Sequence, residues 1–198
     1  MNVRSAPAVP TPRMSEIVLR TSRYQAMRHW YETFFSVPPA LETSVTPPSF
    51  DAATIAAVAQ PTRLCFFRIF EEYPFAQVLA LFEAHDLEPV ADTASGLHHM
   101  QFLQAELDEW ADRYDLLKEQ GILPAQTFNH GPSMSCYYRD PDNNLVELSA
   151  RNYADEAEYL RFIGSAAFAA NPAGNLVDAD DFVRRLRAHE DRATLVAI

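Results

Sequence analysis

The chain carries a weak internal repeat. A shift of 83 positions (99 − 16 = 83) lays Glu16 on His99, Tyr31 on Tyr114 and Phe34 on Leu117. Identity between the halves is low, but the order of elements recurs: a strand, a helix, then up to three strands. A repeat of this kind predicts two pseudo-symmetric modules, in which equivalent positions can converge on one site. Glu16 and His99 both sit early in the first strand of their module, on the same face of it.

The second module ends in the stretch Phe128 to Ser149, FNHGPSMSCYYRDPDNNLVELS. It reads as a strand, a tight turn and a second strand, the turn being Asp140-Pro141-Asp142-Asn143-Asn144. Side chains alternate between the faces of a strand. Ser135, Tyr137 and Arg139 therefore share a face, with Cys136 and Tyr138 behind. In the next strand Leu145, Glu147 and Ser149 share a face, with Val146 and Leu148 behind. A carboxylate in the middle of such a strand faces water or has a purpose.

The other elements follow from spacing and punctuation. Met14 to Thr21 predicts a strand with Glu16, Val18 and Arg20 on one face. Ser22 predicts a helix cap. Tyr24, Met27, Trp30, Tyr31 and Phe34 recur at helical spacing up to Pro38-Pro39. Leu41 to Val45, Ala53 to Val58 and Thr62 to Phe70 read as strands, Phe75 to Ala84 as a helix and Asp86 to Ser95 as a linker. Leu97 to Leu103 predicts a strand with His99, Gln101 and Leu103 on one face and His98, Met100 and Phe102 on the other, which gives His98 a structural role. Leu107 to Gln120 predicts a helix with Gly121 at its C-terminal end, followed by strands near 122–128, 134–139 and 145–149. Ala154 to Phe168 and Asp178 to Ala188 read as helices separated by Asn171-Pro172-Ala173-Gly174. The acidic run Asp178, Asp180 and Asp181 suits a helix N-terminus.

The expected organisation is an arm at residues 1–13, disordered by its three prolines, a domain over 14–152 and a helical extension over 153–198. Within the domain, module 1 spans about 14–70, a linker or helix 71–95, and module 2 about 96–150. The fold class is α+β.

Composition narrows the partners. The 198 residues are 48% apolar, enough for a sizeable core. Sixteen basic and 27 acidic residues give a net charge of −11, which argues against nucleic acid or an anionic membrane. No apolar run approaches the roughly 18 residues of a membrane span. Cys65 and Cys136 lie in apolar runs without metal-type spacing, so both are expected to be reduced core residues of a cytoplasmic protein. The N-terminus has no apolar segment of the secretory kind.

Glu16, His99 and Glu147 fall on like faces of three strands. A mononuclear divalent-metal site takes about three protein ligands and leaves positions open, two imidazoles with one carboxylate being a common set for iron(II). Three residues so far apart in sequence are not a specific signal by spacing alone.

The segments EIVLRTSRYQAMRHWYETFF, GLHHMQF and NHGPSMSCYYRDPDNNLVEL resemble the vicinal oxygen chelate superfamily, which includes glyoxalase I, fosfomycin resistance proteins and extradiol ring-cleavage dioxygenases. The likeness is to the extradiol-dioxygenase-like branch and is strongest from Gly96 to Tyr153. It implies paired βαβββ modules forming a cupped mixed sheet around one metal, expected to be iron(II), with manganese, zinc or nickel as the other ions. It implies that His99 and Glu147 are metal ligands and that Glu16 takes the place of the usual first histidine. It implies that Tyr137 contacts a substrate oxygen and that His130 is the pocket acid–base residue. An aromatic or vicinal-oxygen small molecule is the implied substrate, and a homo-oligomer the implied assembly. The segment Gln60-Pro61-Thr62-Arg63 lacks the acidic residue and histidine pair often found there in that branch.

Glu16 changes the charge of the site. Two neutral imidazoles and a carboxylate leave a divalent ion at +1; one imidazole and two carboxylates leave it neutral. A unit of charge is worth on the order of 4 kcal/mol at 4 Å and intermediate dielectric, so an anionic catecholate is expected to bind less readily. Three activities are compatible with the residues: a metal-dependent dioxygenase-like oxidoreductase, a non-oxidative isomerase, epimerase or lyase with Glu16 as base, or a non-catalytic small-molecule-binding resistance protein.

Overall fold

The computed structural model describes residues 12–44, 63–85, 87–88 and 95–198. The chain forms two compact units, residues 1–89 and 90–198. The expected strand at Ala53–Val58 lies outside the described residues.

The first unit contains β1 (Glu16–Thr21), α1 (Tyr24–Phe35), β2 (Leu41–Ser44), β3 (Arg63–Glu72) and β4 (Phe75–Glu83). Its sheet runs β1-β4-β3-β2, with β1 parallel to β4 and the other pairs antiparallel. Alternation in β1 is as read: Glu16, Val18 and Arg20 are exposed, and Ile17, Leu19 and Thr21 more buried. The helix buries Tyr24, Met27, Trp30, Tyr31 and Phe34. Its start differs from the expectation at Ser22. The N-cap is Arg23, which makes no side-chain cap bond, and Thr21 Oγ1 accepts from the Arg23 N–H at 2.8 Å.

Residues 75–83 are a strand, not the helix that the spacing of Phe75, Val78, Leu79 and Phe82 suggested. A short apolar run suits a buried strand as well as a helix, and periodicity cannot separate them. Pairing decides it here: β4 lies between β1 and β3, hydrogen-bonded on both sides, with Leu79, Ala80 and Leu81 fully buried. Residues 75–83, within the stretch read as linker or helix, are thus an inner strand of the first module's sheet.

The second unit repeats the order. It contains β5 (Met100–Gln104), α2 (Leu107–Glu119), β6 (Gln126–Asn129), β7 (Ser133–Arg139) and β8 (Leu145–Arg151). Its sheet runs β5-β8-β7-β6, with a further short strand, β9 (Asn175–Leu176), beyond β6, and again the first strand is parallel to the fourth. The repeat is therefore one of topology, βαβββ twice, in an α+β fold with two mixed sheets. Trp110, Tyr114 and Leu117 of α2 are buried, and Trp110 Nε1 donates to the Leu148 carbonyl at 3.1 Å. Met100, Val146, Leu148, Ala150, Met134, Cys136 and Tyr138 complete this core. Gly121 follows the helix with φ of +75°, the left-handed conformation expected there.

The tail is not all helix. α3 (Glu156–Ile163) and α4 (Ala166–Ala170) replace one expected helix, with Gly164 and Ser165 between them and Ser165 capping the second. Next, β9 (Asn175–Leu176) adds an edge strand to the second sheet beside β6. α5 (Ala179–Arg187) is capped by Asp178, as the acidic run predicted. Tyr114 of α2 donates to Asp180 at 2.7 Å, and Arg187 pairs with Asp112. α6 (Arg192–Leu195) follows.

Candidate active site

The β7–β8 turn sets the register of everything that follows. Asp140 is buried, and its Oδ1 accepts from the backbone N–H of Asp142 at 3.0 Å and of Asn144 at 2.8 Å. Asn144 Nδ2 donates to its Oδ2 at 2.8 Å. Asn143 takes φ of 69°, a conformation that Asn tolerates better than most residues. The ladder then places Tyr137 opposite Glu147 and Ser135 opposite Ser149, while parallel β5 sets Gln101 beside Glu147. One face of this sheet thus carries Gln101, Glu147, Ser149, Ser135 and Tyr137, and α2 covers the other.

Glu147 is 3% exposed, and each of its oxygens has a partner. Gln101 Nε2 donates to Oε1 at 3.2 Å, and His99 Nε2 lies 3.0 Å from Oε2. A carboxylate so deep in a sheet is stabilised only by such partners. Gln101 also donates to Ser149 Oγ at 3.0 Å. The other ring nitrogen of His99, Nδ1, is 2.7 Å from His98 Nδ1, so one of these two nitrogens carries the proton between them.

This corrects the reading of His98. Residues 97–99 precede the strand, which begins at Met100, so strand alternation does not govern them. His98 meets the ring of His99 instead of facing away from it, and a histidine beside a candidate ligand orients it.

Tyr137 ties the pair to the next residues. Its phenol is pushed up to about 12, by burial first and then by the nearby Glu147 carboxylate. It is therefore protonated at neutral pH and serves as a donor. Its oxygen is also 3.0 Å from His130 Nε2. His130, in the turn after β6, stacks on Phe128 with centroids 5.4 Å apart and ring planes at 4°, and its Nδ1 is 2.7 Å from the Ala173 carbonyl. The expected residues His99, Glu147, Tyr137 and His130 thus form one connected cluster in the second unit.

Glu16 is the first residue of β1 in the first unit, exposed and in register with Val78. In the second unit the donors His99 and Glu147 have no third His, Cys, Asp or Glu gathered with them among the described residues. Their 3.0 Å spacing is that of a hydrogen-bonded pair and is also compatible with a shared metal. Two donors each about 2.1 Å from a divalent ion, at right angles around it, lie about 3.0 Å apart. The observed separation is 3.0 Å. An imidazole nitrogen with a carboxylate oxygen is also the donor chemistry of non-haem iron, manganese and zinc sites.

Cys65 and Cys136 are free and buried, as composition implied. Burial pushes the Cys136 thiol up to about 12, so it is inert. No helix among the described residues is long and apolar enough to cross a membrane.

Residues 13–148 match the family model described as the glyoxalase/bleomycin resistance protein/dioxygenase superfamily, and the chain belongs to that superfamily. It is 34% identical over 164 residues to biphenyl-2,3-diol 1,2-dioxygenase 2 of Rhodococcus globerulus, which covers 83% of this chain and 76% of that protein. It is 29% identical over 166 residues to biphenyl-2,3-diol 1,2-dioxygenase 3 of the same organism, with the same coverage. Among solved structures, a lactoylglutathione lyase from Agrobacterium tumefaciens aligns with TM-score 0.47 and 21% identity, covering 72% of this chain and 96% of that one.

Proposed function

We propose that the chain is a metal-dependent dioxygenase of the extradiol type, acting on an aromatic vicinal diol, with iron(II) held by His99 and Glu147. The observation that carries this reading is the 3.0 Å approach of His99 Nε2 to a buried Glu147 that also faces Tyr137. The two biphenyl-diol dioxygenases similar to this chain support the substrate class. Glu16 is carried forward as the third donor, or as a base, on the strength of the sequence repeat.

A bound iron(II) ion would supply the one-electron chemistry that lets a catechol and dioxygen react. The chain's own residues move a proton. A carbonyl only accepts hydrogen bonds, so His130 donates through Nδ1 and, when neutral, keeps the lone pair on Nε2. The Tyr137 hydroxyl then donates to Nε2. A substrate hydroxyl that donates to the Tyr137 oxygen can pass its proton on: the phenol takes the substrate's proton and releases its own to His130. His130 becomes an imidazolium, still bonded to Ala173, and the substrate becomes an anion. Relays of this kind contribute on the order of 10²–10⁴-fold in rate.

The test is oxygen uptake by protein purified without oxygen, loaded with iron(II) and given catechol or 2,3-dihydroxybiphenyl. One dioxygen consumed per diol, with a ring-opened product, is the expected result. Metal binding without uptake would overturn the oxidative reading and favour a non-oxidative enzyme with Glu16 as base. Failure to bind any divalent metal would favour a binding protein.

A further inference from the structure

The region beyond the family match contains a contact that the proposed chemistry uses but does not account for. We propose that residues 171–177 are a positioning element, in which the Ala173 carbonyl fixes the His130 ring as the Nδ1–H tautomer and so directs its lone pair to Tyr137. The importance of this for turnover rests on the function proposed above; the tautomer itself does not.

Three observations carry it. First, the His130 ring is held from three sides: Phe128 stacks on its face, the Ala173 carbonyl meets Nδ1 at 2.7 Å and the Tyr137 oxygen meets Nε2 at 3.0 Å. Only the carbonyl has an unambiguous role, since it cannot donate. Tyr137 can donate or accept, so Ala173 sets the direction of the chain and Tyr137 follows it.

Second, the carbonyl has no slack. Gly174 has φ of +76°, and a Cβ there would stand 2.1 Å from the Asn129 carbonyl oxygen and 2.5 Å from His130 Cα. Backbone lies directly on backbone, and only glycine fits. The chain then pairs in register, Asn175 with Asn129 and Leu176 with Phe128, and the Val177 N–H donates to the Thr127 carbonyl at 3.0 Å.

Third, the far side of the His130 turn is pinned by the C-terminus. Asn129 Oδ1 accepts from the Gly131 N–H and from Asn152 Nδ2, both at 2.9 Å, and Asn129 Nδ2 donates to the Val196 carbonyl at 3.0 Å. The turn cannot drift from Ala173 without breaking these buried bonds. The family match ends at residue 148, so residues 171–177, which hold the ring from this side, lie outside it.

The test is the tautomer of His130 in metal-free protein, from long-range proton–nitrogen correlation spectra of histidine-labelled samples. The signal is assigned by its loss in His130→Asn and read on the alkaline limb, where the ring carries one proton. We expect the proton on Nδ1. In Gly174→Ala we expect the Nε2–H form to appear, and in the loaded enzyme kcat to fall about ten-fold or more with KM within about two-fold. A proton on Nε2 in the unaltered protein would overturn the proposal, and this holds even where Gly174→Ala does not fold. So would a folded Gly174→Ala with the tautomer unchanged, or with the tautomer changed and kcat intact. Absence of oxygen uptake in the unaltered enzyme, with the Nδ1–H tautomer present, would instead remove the dioxygenase reading and leave the positioning element standing.

Discussion

Tyr137 and Glu147 face each other across the β7–β8 ladder, a phenol held protonated beside a buried carboxylate. The two residues are ten apart in sequence (147 − 137 = 10), on the two strands of one hairpin. The turn at Asp140 brings them together, and a slip of one position in the ladder would put Glu147 on the opposite face from Tyr137. The chemistry of the site therefore depends on the local bonding of one turn.

Removing the Tyr137 hydroxyl breaks the link between substrate and His130 while sparing both candidate metal donors. For Tyr137→Phe we expect kcat to fall by about 10²-fold or more, with metal content unchanged. Steady-state oxygen uptake and metal analysis on the same sample check this.

The raised phenol also gives a pH signature. An unfolded tyrosine ionises near 10. Tyr137 in the folded chain ionises near 12. Between those values the unfolded chain has lost a proton that the folded chain keeps. The stability from the buried neutral phenol is therefore complete below about pH 10 and declines as pH rises toward 12. The stability difference between the unaltered protein and Tyr137→Phe should shrink over that interval in urea titrations.

Asn129 is 2% exposed and serves three segments at once: its own turn, Asn152 and the C-terminus. Asn129→Ala leaves the Gly131 N–H and Asn152 Nδ2 without this acceptor. An unsatisfied buried donor costs about 1–3 kcal/mol, so we expect a loss of about 2–4 kcal/mol in chemical denaturation. Loss of the His130–Ala173 bond should accompany it.

Glu16 is the place where charge is tunable. Glu16→His replaces a carboxylate by a neutral imidazole, a change of one unit of positive charge. If Glu16 is a ligand, an anionic catecholate should bind at least about ten-fold more tightly. Titration of the iron-loaded variant under anoxic conditions reads this, and unchanged affinity with metal retained would remove Glu16 from the ligand set.

Much of the fold was legible because the repeat and the binary patterns agree. β1, α1, α2, β7 and β8 carry long or strongly alternating signals, and the polar face bearing Tyr137 and Glu147 follows from alternation alone. β4 was misread because Val78 to Phe82 is apolar on both faces, and only its two neighbouring strands reveal it as an inner strand. His98 was misplaced because alternation was extended past the end of β5. Gln101 was on the right face, but nothing local marked it as the partner of Glu147. Ala173 had no sequence signal: it acts through a backbone carbonyl, 43 residues from the histidine it meets. Gly174, two residues after Pro172, looked like a break between helices, and its close approach to Asn129 exists only in three dimensions.

The proposed function requires one divalent ion held jointly by His99 and Glu147. The most direct measurement is metal content by mass spectrometry in protein purified without oxygen, comparing the unaltered chain with His99→Ala and Glu147→Gln. We expect about one divalent ion per chain in the former and near none in either variant, with circular dichroism unchanged. Equal metal content in all three would contradict it.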